Sequence, residues 1–306
     1  MKDSFENISL QFSDDGLVAM NISLAVIMFA VALSMNYGDF AELKKHPKSI
    51  LSGLISQWLI LPLITLLLIY LIQPHPLLGL GMILVSVCPG GNVSNFFSMM
   101  AGGNVALSVV LTSFSSLFAT ILTPLGYVFW ISLSPYGEQS AEFQLSFSEL
   151  AGTLVLILLF PLVLGWMVKT YLPKLAEKLA KPAKFIGVAI LALFIGVAIW
   201  NNRFAFAEHL DKVFLIVLGH NALALGSAWI WARLAGNPMK ESITITLETG
   251  IQNSGLALII IFGFFNGNGG MALMAAWWGV WHLIAGFSLS QYFSYRNKKS
   301  AVTTVV

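Results

Sequence analysis

SITITLETGIQNSGLALIIIF, residues 242–262, is apolar enough to cross a membrane yet carries a carboxylate, Glu248, about a third of the way along. Glu248 is the only acidic residue well inside any long apolar segment of the chain, since Glu149 stands at the very edge of one. A bare carboxylate at that depth costs several kcal/mol, so such a residue faces a protein interior or a water-filled cavity and has a partner. No long apolar segment contains Lys or Arg, so the usual partner is missing. A bound cation is the simplest substitute, and it points to a cation-coupled membrane transporter.

Composition agrees. The 306 residues are 57% hydrophobic and 10% charged, against about 25% charged in soluble domains. The apolar stretches exceed the roughly 18–20 residues needed to cross a bilayer, so the chain reads as an all-α polytopic membrane protein. Cys88 is the single cysteine, which excludes an intrachain disulfide, and no His/Cys cluster suggests a metal centre. The N-terminus, MKDSFENISLQFSDD, lacks the basic opening and short apolar core of a signal peptide, so the first spanning helix is expected to act as its own insertion signal. Nothing in the charge pattern suggests nucleic acid.

Nine apolar segments are predicted to be spans: 16–35, 50–72, 78–100, 104–132, 148–168, 185–200, 213–232, 242–263 and 271–293. The 185–200 segment is short, and the long 104–132 segment is expected to tilt or bend, with Pro124 as a kink. The connections sort by charge. One set holds Lys44, Lys45, Lys48, Lys169, Lys174, Lys178, Lys181, Lys184, Arg233, Lys240, Arg296, Lys298 and Lys299, which is 13 of the 16 Lys and Arg. The other holds Lys2, Arg203 and Lys212 beside Asp14, Asp15, Glu138, Glu142, Glu208 and Asp211. The positive-inside rule puts the first set in the cytoplasm, the N-terminus outside and the C-terminus inside. Asn7-Ile8-Ser9 forms a short outside glycosylation sequon that carries little weight. The domain organisation that follows is an extracytoplasmic segment 1–15, a first repeat 16–132, a second repeat 148–293 and a cytoplasmic tail 294–306. The acidic loop 132–149 is the boundary between the repeats.

Two spans are interrupted. GLGMILVSVCPGGNVSNFFSMM (79–100) contains Pro89, Gly90 and Gly91, followed by Asn92, Ser94 and Asn95. Proline lacks a donor and clashes with the preceding turn, and glycine costs about 1 kcal/mol against alanine in a helix. Residues 248–255, ETGIQNSG, form a weaker break at a comparable point of the eighth span. Paired interruptions in corresponding places of two halves mark a transporter site, because a broken helix exposes carbonyls for a hard cation and N–H groups for an anion. A Pro-Gly-Gly alone is often a kink, and Ser and Asn in a span often only bond between helices. The conjunction with a lone carboxylate shifts the reading to a site. His282 reads as an interior hydrogen-bonding residue, and Trp277, Trp278 and Trp281 as a membrane-interface belt.

At these segments the chain resembles the bile acid:sodium symporter family, in its nine-span form. VCPGGNVSNFFSMMAGGNVALSVVLTS (87–113) looks like the family's first crossover and LETGIQNSGLA (247–257) like its second. GDFAELKKHPKSILSGLISQWLILPL (38–63) and VWHLIAGFSLSQYF (280–293) fit two further helices. The resemblance implies inverted repeats, a panel domain, and a core domain where two broken helices cross beside two Na+ sites. The first site would use Ser94, Asn95, Ser108, Thr112 and Glu248. The second would use Gln57, Gln252 and the carbonyls of Glu248, Thr249 and Ile251. Substrate would lie against Asn92 and Asn253. Ten-span members carry an extra first helix, which this chain begins too late to hold. That absence leaves the panel domain and any homodimer contact through it open.

The resulting expectation is a sodium-coupled symporter of organic anions, bile-acid-like or other carboxylates, in a plasma or bacterial inner membrane. The alternatives are a proton-coupled carrier of the same fold and a sensor that binds without transporting. An intramembrane enzyme would need a nucleophile with its base, or a carboxylate pair, and neither is evident.

Overall fold

The computed structural model describes residues 14–34, 46–137, 152–201 and 203–303. Outside them lie the segment before Asp14 with its sequon, the stretch 38–45 with Lys44 and Lys45, and Glu138, Glu142 and most of the proposed boundary loop.

The described residues are helical throughout their long segments: α1 (Asp14–Ser34), α2 (Pro47–Ile72), α3 (Pro76–Val87), α4 (Val93–Met100), α5 (Val105–Ser132), α6 (Gly152–Tyr171), α7 (Pro173–Asn201), α8 (Arg203–Leu234), α9 (Met239–Gly250), α10 (Ser254–Phe264) and α11 (Gly269–Thr303). Helices satisfy their own backbone groups, which lipid requires. Among the described residues five helices are long and apolar enough to span a membrane: 47–72, 105–132, 152–171, 213–234 and 269–297. Shorter apolar helices occupy 21–33, 76–87 and 254–264.

Two expectations change on contact with the structure. The helix expected at 185–200 begins at Pro173 and runs through Pro182. Hydropathy sees where a helix is apolar, and KLAEKLAKPAK (174–184) is a helix-forming but charged extension. The chain stays helical through Pro124 in α5, because proline removes one hydrogen bond without ending a helix held by its neighbours. Two further prolines each follow a wider turn. Pro62 in α2 follows a π-helical turn at Ser56–Ile60, and Leu61 N–H donates to Ser56 O. Pro161 in α6 follows one at Val155–Leu159. Each proline strips the donor from a turn, and the slack is taken up by one wider turn.

The second change concerns the tryptophans. Trp278 is fully buried, its ring 4.7 Å from that of His220, and Trp277 and Trp281 pack on Phe214. This part of α11 faces the interior, so Trp278 is core and not interface belt. The main core joins α3, α10 and α11 with residues of α1, α2, α5, α6 and α8. Helix α1 packs chiefly on α7 and α6, while α9 packs on α8, α4 and α5. Thus α3–α4 and α9–α10, the interrupted pairs, lie where α2, α5, α8 and α11 meet.

Candidate functional site

Both interruptions are real, and they touch. Helix α3 ends at Val87 and α4 starts at Val93; α9 ends at Gly250 and α10 starts at Ser254. The two extended links pair antiparallel at Gly90 and Gln252. Gly91 N–H donates to Ile251 O at 2.7 Å, and Asn253 N–H donates to Pro89 O at 2.9 Å. Each break thereby supplies the backbone partners the other lost. Asn253 Oδ1 caps α10 by accepting from Leu256 N–H, and Asn221 Nδ2 donates to Gly250 O at 2.7 Å, where α9 ends.

Glu248 lies on the last turn of α9, fully buried. Ser94 Oγ donates to its Oε2 at 2.5 Å, Ser108 Oγ to the same oxygen at 2.9 Å, and Thr112 Oγ1 to Oε1 at 2.6 Å. Asn95 Oδ1 is 3.3 Å from Thr112 Oγ1. The five side chains read from the sequence and the resemblance as one ion site therefore meet around one carboxylate. The groups that hydrogen-bond it, these three hydroxyls and the side-chain amide of Gln57, are all neutral.

Glycine at position 90 is required by that geometry. A Cβ there would sit 2.5 Å from Glu248 Oε1 and 2.9 Å from Gln57 Nε2, so only a residue without a side chain lets the carboxylate and the amide come this close.

The second candidate set is also together. The π-turn of α2 turns Ser56 and Gln57 inward, both fully buried; such turns recur at functional sites. Ser56 Oγ is 2.7 Å from Thr249 Oγ1, and Gln57 Nε2 reaches Glu248 O at 3.5 Å. Gln252 Nε2 donates to Thr249 O at 2.8 Å. The amide oxygens Gln57 Oε1 and Gln252 Oε1 are buried with no hydrogen-bond partner. Unmatched buried acceptors are costly, and oxygen-rich surroundings of this kind suit a hard cation. Of the three expected carbonyls, that of Ile251 already accepts the crossing bond from Gly91.

Asn92 and Asn253 line a cavity of about 430 Å³ with Gly196, Leu258, Val280 and His282. It is mostly apolar, with the crossing at its polar end. Asn92 Oδ1 and His282 Nδ1 are buried there without partners.

Sequence reasoning missed several of these participants. Ser56 adjoins a residue that the resemblance names. His220 and Asn221 are adjacent polar residues in an otherwise apolar span, a signal available at the outset. His282 lines the cavity, which periodicity does not reveal. Ser115 Oγ, which accepts from Gly90 N–H at 3.3 Å, has no signal at all.

Residues 21–209 match the sequence model of the Sodium Bile acid symporter family, a match that stops short of Glu248. The chain is similar to the uncharacterized sodium-dependent transporter YocS of Bacillus subtilis (strain 168), with 29% identity over 284 residues, 92% of this chain and 84% of that protein. It is 29% identical over 279 residues to the probable sodium/metabolite cotransporter BASS1, chloroplastic, of Oryza sativa subsp. japonica, covering 89% of this chain and 65% of that one. It is 25% identical over 244 residues to the ileal sodium/bile acid cotransporter of Homo sapiens, covering 79% and 68%. With these matches and its apolar spans, the chain is an integral membrane protein that belongs to the sodium bile acid symporter family, a family of sodium-dependent transporters and not of enzymes.

Proposed function

We propose that this protein is a sodium-coupled symporter of an organic anion that works by alternating access. The observation that carries the reading is the Glu248 carboxylate, fully buried at the crossing of two broken helices and bonded to neutral groups, three of them hydroxyls. The first Na+ is a substrate of the transport cycle, held by Ser94, Asn95, Ser108, Thr112 and Glu248. The second is held by Gln57, Gln252 and the carbonyls of Glu248, Thr249 and Ile251, and the two unpartnered amide oxygens support it.

The organic anion binds in the cavity beside Asn92 and Asn253. The exposed N-terminal turns of α4 and α10 favour its negative group, and the apolar walls take its body. Relatives named as sodium/bile acid and probable sodium/metabolite cotransporters agree with bile-acid-like or other carboxylates. In this reading the chain has nine spans, the N-terminus outside and the basic connections in the cytoplasm of a cell membrane. It comprises two inverted repeats, 16–132 and 148–293. Helices α1, α6 and α7 form the panel, and the remaining helices form the core that rocks against it.

Sodium binding neutralises Glu248 and ties α4, α5 and α9 to one another, which orders the crossing before the anion arrives. In proteoliposomes, a sodium gradient should drive exchange of labelled carboxylates, and Glu248→Ala should abolish the sodium dependence. Transport that ignores sodium in the unaltered protein and follows the pH gradient would replace this reading with proton coupling.

A further inference from the structure

A second carboxylate, Glu241, sits seven residues before Glu248 on α9 and is itself buried. That spacing returns to the same helix face about 10 Å away, at 1.5 Å per residue. Polar groups link the two carboxylates. Asn104 Nδ2 donates to Glu241 Oε1 at 3.2 Å. Thr244 Oγ1 lies 2.8 Å from Asn104 N and 3.1 Å from Asn104 O. The same Asn104 carbonyl accepts from Ser108 N–H at 3.1 Å, and Ser108 Oγ reaches Glu248 at one side and Ser98 Oγ at the other. Gly103 keeps this file narrow, since a Cβ there would lie 2.7 Å from Thr244 Oγ1.

At its outer end Glu241 Oε1 stands 4.0 Å from Nδ1 of His46, a third of whose side chain is exposed. No Lys or Arg nitrogen among the described residues comes within ion-pair distance of Glu241, although Lys240 is its chain neighbour. A cap alone explains an acid in the first turn of a helix. It does not explain a buried acid joined through hydroxyl and amide groups to a second carboxylate.

We infer that Glu241 is a positioning residue for ion passage: it draws Na+ along the Asn104–Thr244–Ser108 file between the cytoplasmic face and the Glu248 site. The inference rests on the sodium-symporter reading and adds to it the side and route of ion release. A fixed negative charge at a narrow mouth raises the local cation concentration and lowers the barriers on both sides of it. It therefore speeds entry and exit together while changing the equilibrium much less.

The test is radiosodium exchange on the purified full-length protein, with association and dissociation timed separately and affinity measured at equilibrium. Glu241→Gln keeps an acceptor for Asn104 and removes the charge. Both rates should fall about tenfold, with a smaller change in affinity. Glu241→Asp, which retains the charge, should recover the rates. Thr244→Val should slow exchange with both carboxylates intact, and it serves where the Gln variant does not fold. Unchanged exchange rates in a folded Glu241→Gln or Thr244→Val protein that still binds sodium would overturn the route and leave the Glu248 site standing. Absence of specific sodium binding to the unaltered protein would overturn both.

Discussion

Replacing Glu248 with Gln removes a charge and almost nothing else, which makes it the sharpest perturbation of the site. The carboxylate accepts from three hydroxyls. Hydrogen bonds to a charged acceptor contribute about 1.5–3 kcal/mol, against about 0.5–1.5 for neutral pairs. The variant therefore loses roughly 1 kcal/mol at each of three contacts. In exchange it is relieved of an acid at membrane depth, a burden of about 2.5–3.5 kcal/mol on insertion scales. The two effects nearly cancel, so in choline the variant and the parent should unfold within about 1 kcal/mol of each other.

Sodium separates them. At a hundredfold excess over its dissociation constant it stabilises the parent by about 2.7 kcal/mol, or about 5–10 °C at 2–4 °C per kcal/mol, and leaves Glu248→Gln where it was. The assay is thermal unfolding of the purified proteins in sodium and in choline at matched ionic strength. A sodium-specific rise of equal size in the variant would sink the assignment of Glu248 as a cation ligand. So would a variant that falls several kcal/mol below the parent in choline as well, because the carboxylate would then be a structural acceptor and not a cation ligand.

Two further substitutions separate the ion sites from the anion cavity. Gly90→Ala puts a methyl group 2.5 Å from Glu248 Oε1; overpacking of this kind costs about 1–3 kcal/mol, and both the unfolding midpoint in choline and the sodium-induced rise should drop. Gly196 lines the cavity and has open space where a Cβ would go, so Gly196→Leu should fill the cavity without a clash, leave the sodium-induced rise in place and remove stabilisation by any carboxylate that binds the parent, as read by thermal unfolding with both ligands.

Much of this architecture was legible in the chain because lipid is an unforgiving solvent. Long apolar runs without charges must be helices, and the basic residues must gather in connections. A Pro-Gly-Gly beside Asn and Ser reads as a break, and a lone acid reads as a site. Glu248, Ser94 and Asn95 were accessible by that argument alone. Gln57, Ser108 and Thr112 needed the resemblance, since hydroxyls and amides in spans are common and their spacing does not say which helices will face one another.

Which polar groups share a neighbourhood is set by packing between helices. That the two breaks pair backbone to backbone at Gly90 and Gln252, that a π-turn ahead of Pro62 brings Gln57 to the carbonyl of Glu248, and that Trp278 is core depend on contacts between residues far apart in the chain. That the chain is a helical membrane protein with a carboxylate in an apolar segment follows from its residues, because transfer from water to lipid is a property of each segment alone. The composition of the site is a property of how segments pack, and no single segment carries it.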